Sequence, residues 1–522
     1  MFKLCENVNS KKQLFYISML STIVFYMLAN GYRFFNPMFS GDSLLMIYQN
    51  DSSWQIALGR FVQPFLVFIR GGIVNPYLIC IIAMAFLGLS AYFLTDFLNI
   101  QKKLSVILIA AIMSCNTTII SANATFIQNA DFYAIALFFA VWGVWLISKN
   151  KPVYIAFGII SLSISMGIYQ SYICAAIALI MIHFTFKMLN RPRIKETIIS
   201  AVSYVLSLLA SAGIYYAVWK IFQKVFNIWT SNTYNGLASV GDYSDSTILS
   251  TIVTTYKNVF NYFFHPETFT TMPFGGISLS IFWVYIIRIL NIAVILFTLY
   301  ALIVLTIKHK TMVFNKIMQL LILLLFPMGI NFVCLISKGM EHTLMIYSFC
   351  FVYILAIKAG ELLFTQDDKK FIINKQNIIW PAILASVIVL TWSNIVYANQ
   401  VYLKKDLQDK ATHSMMTRIV YAIESTEGYV PGVTPVAFYG SFENTDYVTH
   451  MEAFKDILPY GMGKSSLTYI GTDYAYLTHI LNTNMLLTRV DDAGDIISKM
   501  PNYPAAGSIA YVDGILVVKI SD

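Results

Sequence analysis

Residues 77–98 read YLICIIAMAFLGLSAYFLTDFL, and this stretch decides the fold class of the chain. Its one charged residue is Asp96, and a helix needs about 20 apolar residues to cross the hydrocarbon core of a bilayer. Ten further runs approach that length, at about 14–30, 104–121, 131–148, 152–170, 172–188, 197–222, 277–306, 314–336, 340–363 and 377–397. The sequence therefore predicts about eleven membrane spans.

The composition supports the same conclusion. Of the 522 residues, 57% are hydrophobic, 15% aromatic and 12% charged, and the mean hydropathy is +0.66. A soluble domain carries roughly 25% charged residues, and a disordered chain is poor in aromatics. These values exclude an ordinary soluble enzyme and a disordered chain. The six cysteines form no C-x-x-C pair, so we expect neither a disulfide framework nor a zinc site.

The charges divide the chain in two. Residues 1–397 carry 26 Lys and Arg against 13 Asp and Glu, whereas residues 398–522 carry 9 against 14. If the N-terminus is cytoplasmic, 18 of the 26 basic residues lie on the cytoplasmic side, as the positive-inside rule requires. An odd number of spans then places residues 398–522 outside. Such a split indicates two environments and no nucleic-acid partner.

We therefore predict a transmembrane domain, residues 1–397, and an extracytoplasmic α/β domain, residues 398–522. In the second domain, residues 399–427 have helical periodicity and residues 435–439 read as a buried strand. Asp513 and Gly514 lie between two apolar runs, which is the signal of a type I′ hairpin. Segments 31–76 and 223–276 are predicted to lie on the outer side without spanning, with amphipathic stretches in each.

Two acids of the first outer segment are candidate catalytic residues. Asp42, in Ser40-Gly41-Asp42-Ser43, could take a proton from an acceptor hydroxyl as a general base. Asp51 is the second choice. The alternative for both is a helix cap: Asp42 or Ser43 before the run LLMIY, and Asp51 before a helix that begins near Trp54.

The remaining candidates are predicted to bind substrate, because ionisable groups at membrane depth are costly and often functional. They are Arg60, Asp131, Tyr169, Gln170, Arg288, Lys338, Glu341 and His342. Arginine suits phosphate through its planar fork, and the polar groups of Tyr169 and Gln170 could hydrogen-bond a sugar. Each has an alternative: snorkelling for the arginines (including Arg70), an aromatic-belt turn for 169–172, and a solvated loop for 338–342.

Three short motifs resemble one known family. They are Ser40-Gly-Asp42 followed by Trp54 and Leu58-Gly-Arg60, then Ser165-Met-Gly-Ile-Tyr-Gln170, then Tyr397-Ala-Asn399 before a long polar helix. In this order they resemble the bacterial integral-membrane glucosyltransferases that decorate O-antigen, the serotype-converting Gtr type. The similarity spans most of residues 1–430.

The resemblance implies a polytopic α-helical membrane protein of the GT-C type in the bacterial cytoplasmic membrane. Such enzymes transfer a sugar, in this family glucose, from a polyprenyl-phosphate donor to a cell-surface glycan outside the cytoplasm. They place an essential acid in the first outer loop, which maps onto Asp42. Members that use lipid-phosphate sugars do not generally require a metal, so we predict no metal and no cofactor. A donor-lipid synthase and a flippase would be partner proteins. Two functions compete with an inverting transferase: a flippase or polysaccharide transporter, and a structural membrane scaffold.

Overall fold

A computed structural model describes most of the chain. The described residues are 6–48, 51–190, 192–230, 247–265, 275–276, 281–365, 378–442, 457–459, 462, 465–467, 471–490, 492 and 494–522.

Helices dominate these residues. They are α1 Lys11–Phe35, α2 Gly41–Leu45, α3 Ser53–Ala57, α4 Gln63–Ile69, α5 Pro76–Phe97, α6 Lys103–Ser114, α7 Thr117–Thr125, α8 Ala130–Ile147, α9 Pro152–Ile168, α10 Ile173–Lys187, α11 Ile194–Phe226, α12 Thr247–Phe264, α13 Ile281–Lys308, α14 Val313–Ile330, α15 Phe332–Ile336, α16 Phe351–Thr365, α17 Ile379–Glu424, α18 Thr472–Ala475 and α19 Gly494–Lys499. The strands are β1 Gly275–Gly276, β2 Pro435–Tyr439, β3 Leu458–Pro459, β4 Leu486–Leu487, β5 Ile509–Val512 and β6 Ile515–Lys519.

The predicted spans fall on these helices. The described residues contain ten helical segments long and apolar enough to cross a membrane, together with the shorter apolar helix α9. Several bounds differ from the prediction, including two between residues 314 and 363. The run 314–336 breaks at Asn331, and the run 340–363 enters its helical segment only at Tyr347. The predicted residues 277–280 and 377 lie outside the described part of the chain.

Local sequence signals set the helix ends. The Ser10 side chain accepts a hydrogen bond from the backbone of Gln13 and starts α1. Asn75 caps α5 in the same way, with Pro76 in the first position. The run predicted at 104–121 bends at Cys115, because Asn116 caps a new helix, α7. Every residue of α7 is buried.

The last helix of the bundle joins the two parts of the chain without interruption. Helix α17 has 46 residues, which is about 69 Å at 1.5 Å per residue. This length exceeds the thickness of a bilayer, so its second half projects beyond the bundle. The boundary that the sequence predicts at 397/398 falls inside this helix.

The C-terminal region contains a four-stranded sheet in the order β4-β2-β6-β5. Strand β2 runs parallel to β4 and β6, and β5 pairs antiparallel with β6. The predicted hairpin is confirmed: Val512 pairs with Ile515, and Asp513 and Gly514 between them have φ values of 49° and 81°. Positive φ at both positions is the type I′ turn.

Most of the loops and turns that carry the candidate residues lie at one end of the bundle. We call the part formed by residues 36–75, 126–130, 168–172 and 331–346 the loop-rich end. At the opposite end, Lys103 pairs with Glu6 at 2.7 Å and Lys11 pairs with Asp96. The second half of α17 packs against the loop-rich end, where the Tyr32 hydroxyl donates to Asp406 at 2.8 Å.

Candidate active site

The turn that carries Asp42 is held by a buried arginine. Arg33, at the end of α1, is fully buried and donates to the carbonyls of Asn36, Met38 and Asn123 at 2.6–2.9 Å. Its side chain thus ties the segment before Asp42 to α7. Because three carbonyls share one guanidinium, the position of this segment depends on Arg33.

Helix α2 is capped by serines and not by Asp42. Ser40 and Ser43 form a capping box, in which each side chain binds the backbone N–H of the other. The Ser40 hydroxyl also donates to the carbonyl of Thr125 at the end of α7. The sequence-based alternative that Asp42 itself caps the helix is therefore wrong.

The carboxylate of Asp42 is left for other chemistry. It is half-buried, and the structure shows no hydrogen bond or ion pair between it and another described residue. Burial raises the pKa of Asp42 above its ordinary value. A carboxylate with a raised pKa is a stronger base.

Asp51 lies in a different environment. It is exposed, and its Oδ1 accepts from the backbone N–H of Ser53 at 2.8 Å and from the Ser53 hydroxyl at 2.7 Å. These bonds lower the pKa of Asp51. The carboxylate binds Ser53, the first residue of α3, but the N-cap of this helix is Ser52, which forms no side-chain cap hydrogen bond. The alternative that Asp51 caps the helix is therefore wrong, and its carboxylate is a weaker base than that of Asp42.

The motif Leu58-Gly59-Arg60 docks onto the turn between α9 and α10. The Gln170 amide donates to the carbonyl of Leu58 at 2.7 Å and to the Tyr215 hydroxyl at 2.9 Å. Gly59 has φ +77°, and a Cβ there would lie 2.9 Å from Gln170 Nε2. Only glycine allows both this conformation and this approach. Gln170 therefore positions the loop that carries Arg60.

Arg60 lies against Tyr169 and within electrostatic reach of His342. Its guanidinium carbon is 4.8 Å from the centre of the Tyr169 ring, a cation–π distance. Burial, and then the positive charge of Arg60, lower the pKa of His342 to about 3. Both effects favour the neutral imidazole, which can act as a hydrogen-bonding group.

Glu341 is a buried acid held by two amides. Its Oε2 accepts from Asn331 at 2.6 Å and from Asn258 at 3.2 Å. Burial raises the pKa of Glu341 to about 7, although these two hydrogen bonds and one from Cys334 lower it. Glu341 and His342 are both buried, so the alternative of a solvated loop does not hold for them.

Helix α7 connects the two halves of the candidate site. Near its start, the Thr118 hydroxyl donates to the carbonyl of Thr343 at 2.6 Å, next to His342. At its end, the carbonyl of Thr125 accepts from Ser40, two residues before Asp42. Seven residues of helix separate the two contacts, which is about 10 Å. Helix α7 therefore holds both turns on one rigid element.

An apolar groove adjoins the Glu341 side of the site. It has a volume of about 650 Å³ and lies between α12, α13, α14 and α16, with Phe260, Leu299 and Phe326 in its wall. Lys257 also lines it, and the next residue along α12, Asn258, binds Glu341. Ile330, which precedes Asn331 in the chain, lines the groove as well, so α12 and α14 each carry one groove residue next to an amide that binds Glu341.

Asp131 and Arg70 form a buried ion pair. Arg70 Nη1 lies 2.8 Å from Asp131 Oδ1, and Arg70 also donates to the carbonyl of Gln128 at 2.9 Å. Both side chains are at most 2% exposed, so Arg70 does not snorkel. The pair fixes the end of α4 to the start of α8, and Asp131 lies in this contact.

The last two candidates, Arg288 and Lys338, lie on α13 and in the turn after α15. Arg288 lies in α13, one turn from Asn291, with its guanidinium carbon 5.4 Å from the Tyr285 ring centre. Lys338 lies in the turn after α15 with φ 53°. The roles of Arg288 and Lys338 in substrate binding remain predictions. In the described part of the chain, no three His, Cys, Asp or Glu side chains converge as a metal site would require.

Sequence reasoning missed several residues of this region. Arg33, Asn258, Asn331 and Tyr215 lie in apolar or amphipathic runs, where nothing marks their partners. One signal was readable: Asn116-Thr-Thr and the later Ser121-Ala-Asn123 are polar interruptions of an apolar run. They predict a break, and this break creates α7.

The fold and the site together define a polytopic membrane protein with a polar, partly buried site at one end of its helix bundle and an apolar groove beside it. The family model of glucosyl transferase GtrII matches residues 31–357, well over half of the chain, so the chain belongs to this glucosyltransferase family. The GT-C type fold predicted from the sequence is confirmed. Searches of curated proteins and of solved structures gave no match.

Proposed function

We propose that this glycosyltransferase takes glucose from a polyprenyl-phosphate donor and transfers it to a hydroxyl of a cell-surface glycan at the loop-rich end. In this proposal the loop-rich end faces outward from the bacterial cytoplasmic membrane, the N-terminus is cytoplasmic and the C-terminal region is extracytoplasmic. The observation that carries the proposal is a largely apolar groove of about 650 Å³ lined by Lys257, whose neighbour on α12, Asn258, binds Glu341 of the polar site. A donor with a long prenyl chain and a phosphate head needs both surfaces.

The proposed reaction is a single displacement. Asp42 accepts the proton of the acceptor hydroxyl while that oxygen bonds to the anomeric carbon of the glucose. The bond between this carbon and the phosphate oxygen breaks, and its electron pair leaves with the polyprenyl phosphate. The configuration at the anomeric carbon is inverted.

The charged side chains balance the leaving group. Negative charge grows on the phosphate as the bond breaks, and a preorganised cation stabilises such charge. Arg60 is the first choice for this role, because Tyr169 supports its guanidinium and His342 beside it is neutral. Arg288 and Lys338 are further candidates. Gln170, Glu341 and His342 would shape the sugar pocket.

The transporter alternative loses support from the family assignment, since the matching family transfers glucosyl groups. A flippase would also leave the glycan unchanged. The groove also favours a lipid-linked donor over a nucleotide sugar, because a nucleotide sugar has no prenyl chain for an apolar groove to bind.

The test compares two donors with purified protein in lipid vesicles. Radiolabelled glucose is supplied either on a synthetic polyprenyl phosphate or on a nucleotide, with a bacterial surface-glycan extract as acceptor. We expect label in the glycan from the lipid donor alone. Transfer from the nucleotide donor alone would contradict the proposal. A groove variant, Thr298→Trp, should raise the KM for the long-chain donor more than the KM for a donor with a short prenyl chain, because the added ring fills apolar volume.

A further inference from the structure

The C-terminal region contains a cleft that the proposed reaction does not use. It has a volume of about 570 Å³ and is lined by residues that follow β2 and β4 and by residues of α18. Strands β2 and β4 are parallel, with Pro435 opposite Leu486. Their carboxyl ends therefore open on the same edge of the sheet, which is where α/β sheets bind ligands.

The lining combines charge, hydroxyl groups and aromatic rings. Asp473 and Arg489 both face the cleft, and neither side chain forms a hydrogen bond or ion pair with the residues that the structure describes. Thr488 contributes a hydroxyl. Tyr474 is 53% exposed, so its ring is accessible at the rim. Carboxylate and guanidinium groups can bind pairs of neighbouring hydroxyls, and an exposed ring can pack on an apolar face.

The charge balance favours an uncharged ligand over an anion. One carboxylate and one guanidinium line the cleft, so the side chains contribute no net charge. A phosphate or nucleotide would meet the carboxylate of Asp473 as well as Arg489. A neutral saccharide presents many hydroxyls, both donors and acceptors, together with the apolar faces of its rings, and it matches all of these groups.

The cleft lies beside the element that carries Asp42. Helix α18, with Asp473 and Tyr474, packs against α2. A Cβ on Gly471 would lie 3.8 Å from Leu45 of α2. Leu44 is fully buried in the same hydrophobic cluster as Leu467. This cluster fixes the cleft relative to the Asp42 turn.

We propose that this cleft binds the oligosaccharide part of the acceptor glycan and holds its reacting end toward Asp42. Binding of a saccharide follows from the cleft alone, whereas its role as acceptor rests on the proposed function. The C-terminal region would then determine which glycan is modified, and the membrane domain would bind the donor.

The experiment uses the full chain in detergent micelles. The probe is an oligosaccharide fraction, prepared by mild acid hydrolysis, of the surface polysaccharide of the bacterium that encodes the chain. Saturation-transfer NMR measures binding without any donor, and radiolabelled transfer measures the acceptor KM. The variants are Tyr474→Ala and Arg489→Gln. The controls are Tyr421→Ala and Arg418→Gln, two exposed residues of α17 outside the cleft.

We expect the wild type and both controls to bind the fraction. Each cleft variant should weaken binding about 10-fold, which is about 1.4 kcal/mol, and should raise the acceptor KM by a similar factor, with transfer recovering at high acceptor concentration. An unfolded variant would not recover. Equal binding by cleft variants and wild type, or transfer by a wild type that binds no oligosaccharide, would overturn the proposal. If the wild type transfers no sugar, the proposed function fails, and the NMR comparison still decides whether the cleft binds saccharide.

Discussion

Glu341 links the stability of the protein to pH. Burial raises its pKa from the ordinary 4.5 to about 7 in the folded chain, so the fold favours the protonated acid. Below pH 4.5 the acid is protonated in both states, and its contribution to stability is fully present. Between pH 4.5 and about 7 the unfolded chain ionises first, and stability falls. The difference between the pKa of Glu341 in the folded and in the unfolded chain corresponds to a loss of about 3 kcal/mol in the free energy of unfolding, at about 1.4 kcal/mol per pKa unit.

The assay is thermal unfolding of purified protein in detergent between pH 4 and pH 8, followed by tryptophan fluorescence. Glu341→Gln removes the titrating group but keeps an oxygen that can accept from Asn331. We expect the variant to gain stability relative to wild type as pH rises through this window, by about 3 kcal/mol in total. Glu427→Gln, at an exposed position, is the control and should track the wild type. A constant difference between Glu341→Gln and wild type across the window would refute the reasoning.

Three further predictions concern Arg60, the ion pair of Arg70 with Asp131, and Gly59. Arg60→Lys keeps the charge but loses the planar group over Tyr169, so the donor KM in the transfer assay should rise about 10-fold; an unchanged KM would exclude Arg60 from phosphate binding. Asp131→Asn leaves the buried charge of Arg70 without its carboxylate and should cost about 3–5 kcal/mol in thermal unfolding. The double variant with Arg70→Met and Asp131→Leu should be closer to wild type, and a double variant no better than the single one would contradict this. Gly59→Ala meets both a positive φ and the side chain of Gln170, so we expect a lower unfolding temperature and reduced transfer, and wild-type values for both would show that the turn adapts.

The sequence predicts the membrane architecture well, because each membrane span is determined by residues that are close together in the sequence. A run of about 20 apolar residues forms a helix in a bilayer whatever it contacts. The Asp513-Gly514 turn is local for the same reason, since its two residues tolerate positive φ. These features need no knowledge of distant residues, and the structure confirms them.

The candidate site is less predictable because its partners are distant in sequence. Glu341 binds Asn258, 83 positions away, and Arg70 binds Asp131, 61 positions away. An apolar run with a single amide gives no sign of which carboxylate that amide will meet. The sequence therefore marks Glu341 as a candidate but leaves open whether its turn binds substrate or is solvated.

The prediction of the residue that caps α2 was wrong for a different reason. Ser40 and Ser43 have the spacing of a capping box, and that pattern was readable in the sequence. Assigning the cap to Asp42 or Ser43 overlooked Ser40, which lies at the N-terminal boundary of the helix. Once Ser40 takes this role, the carboxylate of Asp42 is available for chemistry.

The most direct test of the account is glucosyl transfer from polyprenyl-phosphate glucose by wild type, Asp42→Asn and the matched control Asp51→Asn. Loss of a general base reduces the rate by about 10²–10⁴, and Asn keeps the size of the side chain. We predict that Asp42→Asn folds and inserts normally and loses at least 100-fold in kcat, whereas Asp51→Asn retains most of the activity. Full activity of Asp42→Asn, or loss of activity confined to Asp51→Asn, would contradict the assignment of the base.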